Sequence, residues 1–172
     1  MEPVMKKIYF FLVFQILFFS VNCKISNEDS AVYKLPKLSL LDWNGEEISF
    51  QDFDGKILVI DVWATWCTPC EKSVPVIEKL HTSAGSDIVF LGINTDTDKS
   101  PEEIEAKAKS WKMSYTSLLD THHVFIDIFQ LEGLPSFLVF SKKGNLIYKQ
   151  VGIQPSDFPG LKARLETWKT ID

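Results

Sequence analysis

Two cysteines separated by two residues, Cys67-Thr68-Pro69-Cys70, are the side chains in this sequence best suited to covalent chemistry. They follow an apolar run, Ile57 to Ala64. They precede a stretch from Pro69 to about Ser83 in which Val74, Ile77 and Leu80 recur at helical spacing. The pair therefore falls where a strand ends and a helix begins. A thiol there faces unpaired backbone N–H groups and the positive end of the helix dipole, and both favour the thiolate, which is the attacking species. One cysteine can attack a disulfide in a partner while the other resolves the mixed disulfide, which is thiol–disulfide exchange. By position Cys67, nearer the strand end and the surface, is the attacker. Cys70, one turn into the helix, is the resolver. Half of a zinc site and a purely structural disulfide are the other uses of such a pair. Zinc needs further ligands. No second cysteine pair exists, and none of His81, His122 and His123 is assigned as a ligand, so no metal site is expected.

A carboxylate stands inside the apolar run. Asp61 shares a strand face with Val59 and Trp63, and a lone charge in such a place is costly unless it is neutral, paired or hydrated. The alternative is an exposed aspartate at a bulge. His122 and His123 follow Asp120-Thr121, which reads as a helix cap, and so mark an exposed helix start. His81 falls on the surface of the first long helix.

The elements that must position these groups alternate. Pro36 to Lys56 reads as two short strands around the turn at Asn44-Gly45. Ile57 to Ala64 is apolar on both faces, as a strand covered on both sides should be. Pro75 interrupts the hydrogen bonding of the helix that follows. A second buried strand spans Asp87 to Asp96, and a helix opens at Ser100-Pro101 and runs to Lys112. A short strand at Thr116–Leu119, a helix at Thr121–Phe129, a hairpin from Pro135 to Gly152 and a last helix from Pro155 to Trp168 complete the chain. The pattern is a three-layer α/β domain.

The chain has 172 residues, enough for one domain, and a net charge of −5 with no basic block, which excludes nucleic acid as a partner. Its start differs from the rest. Lys6 and Lys7 precede Ile8 to Phe19, a stretch short for a membrane span and patterned as a secretory signal. "SVNC", Ser20 to Cys23, resembles a bacterial lipoprotein processing site. That resemblance implies a signal peptide at 1–22, a lipidated Cys23, a tether over 23–36 and a domain over 37–172. An uncleaved N-terminal anchor and a secreted protein with an unpaired cysteine are the alternatives. Lipidation would account for the one cysteine left outside the pair.

"DVWATWCTPC", Asp61 to Cys70, resembles a thioredoxin-fold active site. "LSLLDWNGEEISFQDFDGK" resembles the N-terminal extension of the TlpA/ResA-like thiol–disulfide oxidoreductases. "GLPSFLVFSKKGNLI", Gly133 to Ile147, resembles that family's cis-proline segment and hairpin. The resemblance covers Leu35 to Trp168. It implies a thioredoxin fold, a central mixed β-sheet flanked by helices, with an N-terminal β-hairpin extension. It assigns Cys67 as nucleophile, Cys70 as resolver and Pro135 as the cis-proline. The Leu134 backbone would pair with an extended substrate, and Trp66, Thr68 and Pro69 would line the same contact. Trp66 would flank Cys67 at the surface, with Trp63 in the core. Asp61 matches the buried aspartate of thioredoxins, whose role is proton acceptor for the resolving cysteine.

The implied activity is disulfide reduction in exported proteins at the bacterial cell envelope. The implied protein is a lipid-anchored monomer with no cofactor beyond its redox disulfide, recharged by a membrane dithiol donor. One position departs. Family members that reduce apocytochrome c carry a glutamate three residues after the second cysteine, where this chain has Ser73, while Glu71 points elsewhere. A Sco-like copper chaperone on the same fold and a peroxiredoxin-like peroxidase are the competing readings. The first would want three residues between the cysteines and a distant histidine. The second would want a threonine and an arginine around one cysteine, whereas Thr65 is displaced and the sole arginine is Arg164.

Overall fold

The computed structural model describes residues 33–171. The expected signal segment and Cys23 lie outside them. The chain opens with a hairpin of β1 (Ser39–Asp42) and β2 (Glu47–Ser49). Its turn forms where Asp42 accepts hydrogen bonds from the backbone N–H of Asn44 at 2.8 Å and of Glu46 at 2.9 Å. Gly45 takes the left-handed conformation that the turn requires, with φ 82°. A 3-10 turn at Phe50–Phe53, not foreseen from the sequence, is capped reciprocally by Ser49 and Asp52 and buries Phe50.

Strand β3 (Ile57–Trp63) leads into α1 (Thr68–Ser83). Then come β4 (Ile88–Asn94), α2 (Pro101–Ser110), β5 (Ser117–Leu119), α3 (Val124–Phe129), the hairpin β6 (Ser136–Phe140) and β7 (Leu146–Val151), and α4 (Phe158–Trp168). Three helix boundaries differ from expectation. Helix α2 stops short of Lys112, which adopts φ 63° and so cannot continue it. Helix α3 starts at Val124 rather than Thr121, because Asp120 accepts the backbone N–H of Phe125 at 2.9 Å across the intervening turn. Helix α4 starts at Phe158, behind a separate 3-10 turn at Pro155–Asp157.

The strands form a seven-stranded sheet in the order β2-β1-β5-β4-β3-β6-β7. Strand β3 pairs parallel with β4 and antiparallel with β6, and β4 pairs parallel with β5. The N-terminal hairpin joins through an antiparallel β1–β5 pair, so it extends the sheet at that edge. The paired part of the domain begins earlier than residue 37. Leu35 N–H donates to Gly144 at 2.8 Å and Leu146 N–H to Tyr33 at 2.7 Å, which takes the last residues of the expected tether into the domain.

All seven residues of β3 are buried, as a strand covered on both faces must be. Ile57, Val59 and Trp63 face a core completed by α1, α2 and α4 through residues such as Ile77, Ile104 and Leu165. Leu58, Ile60 and Val62 face the other core, closed by Phe50, Phe125 and Phe129. The result is three layers, with the end of β3 aimed at the start of α1.

Candidate active site

Cys67 is the N-cap of α1, in extended backbone conformation, and Pro69 fits the first helical turn, where a missing N–H costs nothing. Cys67 and Cys70 form a disulfide with their Cα atoms 5.2 Å apart. The backbone N–H of Cys70 points at Cys67 Sγ from 3.1 Å. The carbonyl of Cys67 accepts from Cys70 and Glu71 at 3.0 and 3.3 Å. The helix thus aims a donor at the sulfur of Cys67 and none of these at that of Cys70. Cys67 is not at the surface in this oxidised state. It is 3% exposed against 0% for Cys70, and the exposed surface around it belongs to Trp66, at 70%, with Thr68 and Pro69.

The loop carrying the pair is fastened from behind. Asp96, buried at the end of β4, accepts from Thr65 N–H at 2.8 Å, from Thr65 Oγ1 at 3.0 Å and from Asn94 Nδ2 at 2.9 Å. Trp63 lies in the core and donates from Nε1 to Ser117 Oγ at 2.8 Å. That bond crosses β4 at Gly92, where an added Cβ would sit 2.7 Å from Ser117 Oγ and 3.1 Å from Trp63 Nε1.

Asp61 is buried at 1% exposure, not at a bulge; it pairs in register with Gly92 and with Phe137. Tyr115, itself buried, donates its phenolic O–H to Asp61 Oδ2 at 2.7 Å, while Oδ1 has no hydrogen-bond partner among the described residues. Burial pushes the Asp61 carboxyl up to about 7, with the Tyr115 bond opposing the rise. Burial, and then the neighbouring Asp61, hold the Tyr115 hydroxyl well above its ordinary range. No sequence signal singled out Tyr115.

Position 73 also faces inward. Ser73 is fully buried and donates its hydroxyl to the Cys70 carbonyl at 2.8 Å, whereas Glu71 is exposed. Position 73 thus brings no carboxylate to the first turns of α1, and the buried carboxylate of β3 is Asp61.

The Leu134–Pro135 peptide bond is cis. Leu134 joins Trp66, Thr95, Asp98, His123 and Leu131 around a cleft of about 320 Å³ that opens beside the redox pair. His123 departs from the expected exposed helix start. It is half-buried with φ 56°, and its Nε2 donates to the Thr95 carbonyl at 3.0 Å; of the two, only His122 is exposed. His81 is half-buried as well, with its ring centroid 5.2 Å from that of Phe90 and 5.8 Å from that of Tyr115.

Residues 31–165 match the Redoxin family. Among curated relatives, the thioredoxin-like protein YneN of Bacillus subtilis is 30% identical over 110 residues, covering 63% of this chain and 64% of that protein. The thiol–disulfide oxidoreductase ResA of Bacillus cereus is 26% identical over 125 residues, covering 71% and 70%. The chain thus spans somewhat under two thirds of YneN and slightly more of ResA. Among solved structures, a putative thiol:disulfide interchange protein DsbE from Chlorobium tepidum superposes with a TM-score of 0.71 at 20% identity, covering 78% of this chain and 94% of that one. A putative thioredoxin from Neisseria meningitidis gives 0.69 at 26% identity, covering 80% and 91%. The sheet with its flanking helices is therefore a thioredoxin fold carrying an added hairpin. With a disulfide-bonded Cys67-Thr68-Pro69-Cys70 at its strand-to-helix junction, the chain belongs to the Redoxin family, and its relatives include proteins named as ResA thiol–disulfide oxidoreductases.

Proposed function

We propose that this protein reduces disulfides in exported proteins at the bacterial cell envelope. The observation that carries the reading is the Cys70 N–H held 3.1 Å from Cys67 Sγ at the start of α1. A donor aimed there favours negative charge on Cys67 and makes it the nucleophile. In the reduced protein the Cys67 thiolate attacks one sulfur of a substrate disulfide. A mixed disulfide forms and the first substrate thiolate leaves. Asp61 then takes the proton of Cys70, whose sulfur attacks Cys67 Sγ. The Cys67–substrate bond breaks, the electron pair leaves on the second substrate sulfur, and the Cys67–Cys70 disulfide closes. Two electrons have passed to the substrate.

The substrate is a cysteine-bearing protein segment in extended conformation. It lies against Trp66, Thr68 and Pro69 and pairs with the Leu134 backbone before Pro135, with the adjoining cleft taking a neighbouring side chain. A membrane dithiol donor returns the pair to its reduced form. Cys23, lipidated after removal of residues 1–22, tethers the protein as a monomer. The membrane dithiol donor sets the reducing direction, and Asp61 speeds departure of the substrate from the mixed disulfide by taking the Cys70 proton. With Ser73 where cytochrome-maturation members carry glutamate, Asp61 is the only carboxylate assigned to that step.

Insulin reduction tests the reading. With dithiothreitol as donor, the wild type should precipitate the insulin B chain well ahead of dithiothreitol alone, and Cys67→Ser should abolish the acceleration. Equal rates for wild type and Cys67→Ser would sink it. Fatty-acid labelling of the full chain in a bacterial host, present in the wild type and absent from Cys23→Ala, tests the tether; no label on the wild type contradicts it.

A further inference from the structure

Asp61 has two carboxylate oxygens in two different situations. Oδ2 receives the Tyr115 hydroxyl at 2.7 Å, and Oδ1, equally buried, receives nothing among the described residues. Tyr115 reaches Asp61 from the segment between α2 and β5, across the face of β4 beside Gly92, the residue paired with Asp61.

The segment carrying Tyr115 is itself clamped to α1. Glu78 accepts from Ser114 N–H at 2.6 Å and from Ser114 Oγ at 2.8 Å, and His81 Nδ1 lies 3.2 Å from Ser114 Oγ. The His81 ring stands edge-on to Tyr115 with an interplanar angle of 87°. Glu78 and His81 thus fix the backbone and hydroxyl of Ser114, and the His81 ring packs against the phenol that follows.

We propose that Tyr115 is a positioning residue for the proton transfer: by occupying Oδ2 it leaves Oδ1 as the one atom of Asp61 able to take the proton of Cys70. The proposal rests on the reading of Asp61 as proton acceptor. Cys70 belongs to the same buried layer between β3 and α1 as Val59 and Trp63, which flank Asp61 on its face of the strand. In the step, the Cys70 S–H proton passes to Oδ1, and the freed sulfur closes on Cys67. The Tyr115 hydrogen bond stabilises the ionised carboxylate, so it keeps a share of Asp61 in the basic form at neutral pH against the effect of burial.

The other titratable and charged groups around this core are few. Helix α1 contributes the two cysteines, Glu78 and His81. Helix α2 contributes Lys107, held 5.0 Å over the Trp111 ring. Strand β7 contributes Tyr148, bonded to Gln150. Helix α4 contributes Arg164, 5.2 Å over the Tyr148 ring, and Lys162, 5.9 Å over the Phe158 ring. Strands β4 and β6 turn apolar residues to it, such as Phe90 and Phe137.

The test follows the Asp61 carboxyl carbon by ¹³C NMR in the reduced protein, for wild type and Tyr115→Phe. Losing one hydrogen bond to the charged form should move the titration midpoint upward by about one pH unit. Insulin reduction by Tyr115→Phe should fall by about tenfold below the midpoint and recover at higher pH, its profile displaced as far as the NMR midpoint. A folded Tyr115→Phe with an unmoved carboxyl midpoint overturns the proposal. In the wild type, the ring carbon bearing the Tyr115 hydroxyl should report the same midpoint as Asp61, a readout that needs no variant; an independent response overturns the proposal as well. Asp61→Asn separates the underlying reading. Loss of the pH inflection supports Asp61 as acceptor. A wild-type profile in that variant overturns the acceptor role, whereas the carboxyl midpoint still decides whether Tyr115 sets the ionisation of Asp61.

Discussion

Cys67 Sγ lies 3.1 Å from the backbone nitrogen of Cys70, so the first turn of α1 delivers an N–H to the sulfur of its own N-cap. The two cysteines are made unequal by that one contact. Cys67 receives a donor at the positive end of the helix, while Cys70 is enclosed one turn further on.

The reduced protein should therefore titrate Cys67 below the free-cysteine value of about 8.5, with Cys70 above it. The rate of iodoacetamide alkylation followed against pH, with peptide mapping of the label, measures both. A midpoint at the free value for Cys67, or label appearing first on Cys70, would reverse the assigned roles.

Asp61 should cost stability at neutral pH. Its carboxyl is raised from an ordinary 3.8 to about 7 by burial. The folded chain thus holds a proton that the unfolded chain has already released. Stability from this group is fully present below about pH 4 and falls as pH rises to about 7, after which the penalty is complete. Asp61→Asn, which keeps an acceptor for Tyr115, should gain on the order of 2–4 kcal/mol at pH 8 and almost nothing at pH 4. Urea unfolding at both pH values gives the comparison. An equal effect at the two would mean that Asp61 does not titrate in this window.

Gly92→Ala should destabilise the domain by about 1–3 kcal/mol, since its Cβ would push into the Trp63–Ser117 bond. The loss should be accompanied by slower insulin reduction even where the variant is fully folded. Thermal unfolding together with activity below the transition would show this, and unchanged stability would mean that the crossing over β4 is loose.

Much of the site was readable because it is local. The pair, the apolar strand before it and the helical spacing after it occupy one continuous stretch, and Asp61 stands out in that strand by its charge alone. Its partner does not stand out. Tyr115 is one of four tyrosines in the chain and lies 54 residues from Asp61. Only the order β5-β4-β3 in the sheet brings the two together, and no periodicity encodes strand order. His123 was misplaced for a related reason. The N-cap is His123 rather than Asp120-Thr121: Asp120 reaches over a turn to accept from Phe125, and His123 takes a left-handed conformation against Thr95. The Phe50–Phe53 turn was hidden by the strand-like residues on either side of it.

The central claim, that Cys67 attacks and Cys70 resolves, is tested most directly by intact-mass analysis after mixing reduced variants with a peptide containing one disulfide. Cys70→Ser should accumulate a one-to-one adduct joined through Cys67, and Cys67→Ser should accumulate none. The wild type should release the peptide with its disulfide reduced. An adduct on Cys70 in the Cys67→Ser variant, forming as fast as the Cys67 adduct, would contradict the account.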